Sequence, residues 1–188
     1  MLKFKRFVFE KLEIMNIDTN KIELITTKNF NDFKEIIEEL TYHLGEHLEE
    51  AIKEYCGIIP KTETDDEVPY WQLYVVKYEG IAAGITGLYI LSPFDNVFWL
   101  SFFGVLPKFW GSSLGKNILE ISINKAKKLG GDYLYLYTDP IINIMGVKLY
   151  KKLGFEIVST VEEFSKENNL DSKLFEKPTE IIMRKKLW

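Results

Sequence analysis

Apolar residues recur along this chain with two different periods, and the switches between them lay out its elements. Residues 22 to 27 (IELITT) read as a short β-branched strand. Phe33, Ile36, Ile37 and Leu40 then share one helical face, and a second helical pattern runs through Leu44, Leu48, Ala51, Ile52 and Tyr55 to a stop near Gly57. From Pro60 to Pro69 the chain is acidic and has no apolar period, which predicts a surface loop. Three strand-like runs follow: Tyr70 to Tyr78, Ile81 to Leu91 and Val97 to Val105, joined by a tight Glu79-Gly80 hairpin and a longer turn, SPFDN. The period is helical again from Ser113 to Leu129, closing on Gly130-Gly131. Then come a strand (Tyr133 to Tyr137), a helix (Ile141 to Leu153, stopped by Gly154) and a strand (Phe155 to Val161). A polar loop (Lys166 to Lys177) and a last strand (Glu180 to Lys186) complete the pattern.

Strands in a consecutive run, then alternating with helices, imply an α/β (α+β) domain: a mixed sheet with helices on its faces. No internal repeat or linker divides the chain, so the expected organisation is one domain over residues 21–188 behind an N-terminal extension, 1–20. That extension is ambiguous. Phe4, Phe7, Val8, Leu12 and Met15 share a helical face, while Phe7/Phe9 and Leu12/Ile14 alternate as in strands.

At 188 residues the chain can bury a core without a metal or disulfide staple, and 46% hydrophobic residues exclude intrinsic disorder. The net charge of −4 does not favour nucleic acid through general phosphate attraction. Arg6 and Arg184 are the only guanidinium groups, so an anion site here must use Lys and backbone N–H groups. The single cysteine, Cys56, cannot form an internal disulfide or a cysteine metal site and points to a reducing compartment. The charged N-terminal stretch lacks a signal peptide's apolar core, and the apolar run from Val97 to Leu106 is about half a membrane span. The expectation is a cytoplasmic protein with no membrane, nucleic-acid or metal partner.

Two segments carry candidate chemistry. From Val105 to Lys116 a buried strand runs into Pro107, a loop of small residues and a helix opening near Ser113. First-turn N–H groups of a helix have no intrahelical acceptor and lie at the positive end of its dipole, a setting suited to a diphosphate. Lys116 and Lys108 add point charge. An ordinary strand-to-helix turn with a Ser cap has the same composition. The second segment, Asn143 to Phe155, is by itself an amphipathic helix with a glycine stop, in which Tyr150 reads as a core aromatic.

Taken together, in this order and with the strand YLYLY between them, the two segments resemble the GNAT superfamily of acyl-CoA-dependent N-acyltransferases. Val105, Pro107, Gly111 and Gly115 match that family's diphosphate loop, and Asn143, Tyr150, Leu153, Gly154 and Phe155 match its later helix. The resemblance covers about residues 20 to 186. Trp110 stands where the family usually has Arg or Gln, Ser113 where it usually has Gly, and Gly146 replaces Ala.

The resemblance implies a mostly antiparallel central sheet, splayed between the fourth and fifth strands (Val97–Val105 and Tyr133–Tyr137). The pantetheine arm of acetyl-CoA, the cosubstrate, would enter that gap and pair with backbone near Phe103, Gly104 and Val105 like an added strand. Its diphosphate would meet Trp110, Gly111, Ser112, Ser113, Leu114, Gly115 and Lys116. Asn143 would hydrogen-bond the arm, and Tyr150 would protonate the leaving thiolate after direct attack by a primary amine in a ternary complex. The base is less defined: the fourth strand has no acid where many relatives place a Glu, which leaves Asp139 as the candidate, with Glu46 and His47 behind it. Asp139 before Pro140 is equally a turn residue, and His47 among glutamates equally part of a solvated helical face.

Acidic residues of the two early helices and the following loop would favour a cationic acceptor, a small-molecule or peptide amine, although solubilising charge has the same composition. Tyr70, Trp71 and Tyr74 would line an acceptor pocket or fill the core. A homodimer is compatible with this composition. The competing functions are a non-catalytic acyl-CoA-binding or regulatory module on the same fold, and an unrelated α/β domain holding a nucleotide phosphate.

Overall fold

The computed structural model describes residues 17–60, 68–170, 175 and 179–188. The elements run β1 (Ile22–Ile25), α1 (Lys34–Leu44), α2 (Leu48–Tyr55), β2 (Tyr70–Tyr78), β3 (Ile81–Ile90), β4 (Val97–Val105) and α3 (Leu114–Lys128). They continue with β5 (Tyr133–Thr138), α4 (Ile144–Lys152), β6 (Glu156–Thr160), α5 (Val161–Asn168) and β7 (Ile181–Lys186). The strands form one sheet in the order β1-β2-β3-β4-β5-β7-β6. Only β4 and β5 are parallel; every other neighbouring pair is antiparallel. The mixed sheet expected from the sequence is therefore present.

One element differs. Residues 161–168 form helix α5, where the sequence suggested the end of a strand and a polar loop. Thr160 explains it: its Oγ1 accepts the Glu163 N–H at 3.2 Å while Glu163 Oε2 accepts the Thr160 N–H at 3.4 Å. This reciprocal capping box satisfies two helix-end donors and is written in the sequence as Thr-x-x-Glu. Boundaries shift for similar reasons. Gly45, at φ 103°, ends α1 and takes Leu44 with it. Asn143 caps α4 by accepting the Gly146 N–H at 3.1 Å, so that helix begins at Ile144 rather than Ile141. Of the N-terminal extension, residues 1–16 lie outside the described residues; Ile17 is buried against the core and Thr19–Lys21 make a single 3-10 turn. Residues 61–67 of the acidic loop, and 171–174 and 176–178 of the stretch before β7, also lie outside the described residues.

Side chains alternate across the sheet, so β4 serves two helical layers. Phe98 and Leu100 pack with Leu119, Ile123 and Ala126 of α3 and with Tyr150 of α4. Trp99, wholly buried, meets Phe164 of α5 on the other face, with ring centroids 5.7 Å apart. Ser101 on that face accepts the Trp71 indole N–H at 3.2 Å, and the Trp71 ring leans on Tyr55 of α2. Helices thus cover both faces, and each fully buried Leu or Ile contributes about 1.5–3 kcal/mol toward holding them there.

Candidate functional site

Within the continuous sheet, β4 is the strand whose pairing changes along its length. Val97, Phe98 and Trp99 pair with Tyr133, Leu134 and Tyr135 of β5, and beyond Trp99 the two strands part. On its other edge β4 stays with β3, but Thr86 of β3 opposes two residues, Phe102 and Phe103. That is a β-bulge, and Phe102 sits in it with φ 24°, a conformation bulky residues rarely adopt. The strain falls where the sheet opens, which is where functional strain collects.

Past the bulge, Leu106 donates its N–H to Ala83 of β3 at 2.9 Å. Backbone groups alternate direction along a strand, so the N–H and C=O of Val105 point the opposite way, into the gap left by β5. Two glycines shape this end. A Cβ on Gly84 would run into the Gly104 carbonyl, and one on Gly104 would lie 2.9 Å from Leu40 of α1, so α1 seats directly on the strand.

The loop after β4 turns on Gly111, whose φ of 79° suits glycine. Not all its amides are available. Trp110 N–H goes to Pro107 at 3.0 Å, Ser112 N–H to Phe109 at 3.3 Å, and Leu114 N–H to the Ser112 hydroxyl at 3.2 Å. Among the described residues, no acceptor takes the N–H groups of Gly111, Ser113, Gly115 or Lys116. These four, two in the turn before α3 and two in its first turn, are donors of the kind that fit a diphosphate. A Cβ at Gly115 would make only ordinary contact with Val105, at 3.5 Å, so the first turn of α3 lies beside the end of β4 without requiring glycine there. Lys108 and Lys116 are held in exposed ion pairs with Glu35 (2.6 Å) and Glu120 (3.3 Å). Such pairs are weak enough to release either ammonium to a stronger anion.

Tyr150 stands on the α3–α4 side of the gap, 5% exposed, its ring centroid 6.2 Å from that of Phe103. Burial pushes its phenol up to about 12, and the hydrogen bond with Asn143 pulls it only partly back. The phenol is therefore a proton donor at any physiological pH. Asn143 also donates to the Thr138 hydroxyl at 3.0 Å, so one amide side chain ties together the end of β5, the start of α4 and the phenol. A Cβ at Gly146 would crowd the Asn143 side-chain amide as it is placed, so a larger residue there would shift that amide.

Asp139 lies past β5, with Oδ1 accepting the N–H groups of Ile141 (2.8 Å) and Ile142 (3.0 Å), a turn-capping geometry. His47 lies across the gap at the start of α2, its ring centroid 5.7 Å from Phe102 in the bulge. Sequence patterns could not have given that neighbour, because the bulge has no composition signal. Glu46, Glu49 and Glu50 line a surface pocket of about 310 Å³ with Lys53 and Ile59, three carboxylates against one ammonium. Of the other aromatic candidates, Tyr74 is core, with Lys125 Nζ 4.9 Å above its ring, and Tyr70 packs edge-on against Phe98. Among the described residues no cluster of His, Cys, Asp and Glu is placed to hold a metal, and no helix is long and apolar enough to cross a membrane.

Comparison with known proteins bears on this geometry. Residues 30–155 match the acetyltransferase (GNAT) family. No curated protein matches the sequence. Among solved structures, a Bacillus subtilis acetyltransferase in complex with CoA is similar at 22% identity and TM-score 0.61, over 89% of this chain and 99% of that one. A chimeric spermidine N-acetyltransferase built in part from the Vibrio cholerae enzyme is similar at 16% identity and TM-score 0.64, covering 89% and 96%. The ribosomal-protein alanine N-acetyltransferase of Escherichia coli is similar at 17% identity and TM-score 0.60, covering 88% and 92%.

Proposed function

The chain belongs to the acetyltransferase (GNAT) family, an enzyme family of acyl-CoA-dependent N-acetyltransferases, and on that premise we propose that it moves an acetyl group from acetyl-CoA to a cationic primary amine by direct attack in a ternary complex. One observation carries the reading: the unpaired edge of β4 and the protonated Tyr150 phenol border the same gap in the sheet. The free amides of Gly111, Ser113, Gly115 and Lys116 hold the diphosphate, and the edge of Phe103, Gly104 and Val105 holds the arm as an added strand.

The bulge aims backbone N–H groups at the carbonyl oxygen, an electrostatic contribution to the charge that develops there. The amine enters from the α1–α2 side, and Tyr150, on the α3–α4 side, gives its proton to the departing sulfur. Acid and nucleophile thus approach from opposite faces of the sheet. Position favours His47 over Asp139 as the group that takes the amine's proton: Asp139 caps a turn, whereas His47 borders the bulge. The acidic pocket beside α2 supports a cationic acceptor, as does the similarity to a spermidine N-acetyltransferase. The domain as a whole, residues 21–188, is read as one catalytic unit acting in the cytoplasm.

Thiol release from acetyl-CoA across a panel of polyamines, aminoglycosides and peptide N-termini tests this reading. It predicts turnover with cationic amines, and His47→Gln should remove the acid limb that an imidazole base imposes on kcat/KM while Asp139→Asn keeps it. The absence of β4 acid favours a second reading, a non-catalytic acyl-CoA-binding module. Coenzyme binding that raises the melting temperature with no thiol release from any amine would establish that reading instead.

A further inference from the structure

Among the described residues, the Trp110 indole is the one side chain with a hydrogen bond to the exposed edge of β4 past the bulge: its Nε1 donates to the Val105 carbonyl at 2.7 Å. That carbonyl points into the gap and has no strand partner there. We propose that Trp110 is a latch on the coenzyme groove, taking the acceptor that an incoming pantetheine amide needs and lowering coenzyme affinity until it is displaced. The inference rests on the reading that the arm pairs with β4.

The latch is built from three elements. Trp110 itself is extended (φ −65°, ψ 149°), and Gly111 reverses the chain just after it, so the side chain folds back over the strand. His43 of α1 meets the indole edge-on, with centroids 5.0 Å apart. The exposed Lys108–Glu35 ion pair, 2.6 Å long, bridges the loop to the same helix without fixing it there. Yet Trp110 is 50% exposed, so little packing opposes its release. A residue there only to fill space would bury its ring and leave the backbone edge alone; this one stays half in solvent and spends its single donor on the edge.

The test compares two probes by titration calorimetry: CoA, and 3′-phosphoadenosine 5′-diphosphate, which has the diphosphate without the arm. Trp110→Phe keeps a ring against His43 and removes the donor. It should bind CoA about two- to tenfold more tightly, the range a single net hydrogen bond spans, with affinity for the arm-free nucleotide unchanged. Trp110→Met should move CoA affinity in the same direction. Weaker or unchanged CoA binding in these variants overturns the latch. An equal gain for both probes overturns it too, since the effect would then lie in the diphosphate loop. If the wild-type protein binds neither probe, the coenzyme reading itself falls, a result distinct from failure of the latch alone.

Discussion

The two halves of β4 are equally apolar and do different things. Phe98 and Trp99 are paired on both edges and sealed between helical layers; Phe102 to Val105 are bulged, paired on one edge, and open on the other. Composition does not separate them. What does is the divergence of β5, together with glycines at 84 and 104 that let neighbouring backbone and α1 come close. The first half holds the sheet together, and the second is where the proposed coenzyme arm would pair.

Substitutions should split along that line. The largest expected effect is Trp99→Ala, which removes a wholly buried ring touching Tyr89, Tyr135, Phe164 and Phe175. It should cost about 3–5 kcal/mol in denaturant unfolding. Next is Tyr150→Phe, at the open half: kcat should fall about a hundredfold or more, with CoA affinity within about twofold, in steady-state kinetics and calorimetry. The shape of the pH–rate profile below pH 10 should not change, because the phenol stays protonated throughout that range.

The smallest effect is one of pH on stability. The Tyr150 phenol titrates near 10 in the unfolded chain and at about 12 in the fold. The folded state therefore binds its proton more tightly, and this stabilisation is complete below pH 10 and lost as pH rises toward about 12. Unfolding midpoints should drop over that window in the wild type and drop less in Tyr150→Phe.

Much of this was legible in the sequence for a physical reason: long elements declare themselves through period, and the Glu79-Gly80 turn is a hairpin because both residues take positive φ (53° and 78°). Gly111 and Tyr150 could be singled out because they belong to motifs with fixed spacing. Helix α5 escaped because it is short and polar, although Thr160 and Glu163 spell its cap. The bulge at Phe102, the tilted contact of His47 with it and the bond from Trp110 to Val105 were not legible. The first is a register slip without a composition signal, and the second joins residues distant in sequence. The third, though it spans only five residues, depends on the chain reversal at Gly111 and on which way the Val105 carbonyl points. Asp139 illustrates the same limit: its position past β5 could be read from sequence, its two bonds to the following turn could not.

Backbone amide hydrogen exchange along β4, measured with and without CoA, tests most directly whether the open half is where the coenzyme arm pairs. Added coenzyme should slow exchange in the segment 102–106, Val105 above all, and leave 97–99 as protected as before. Slowing confined to the start of α3, with 102–106 unchanged at saturating CoA, would contradict it.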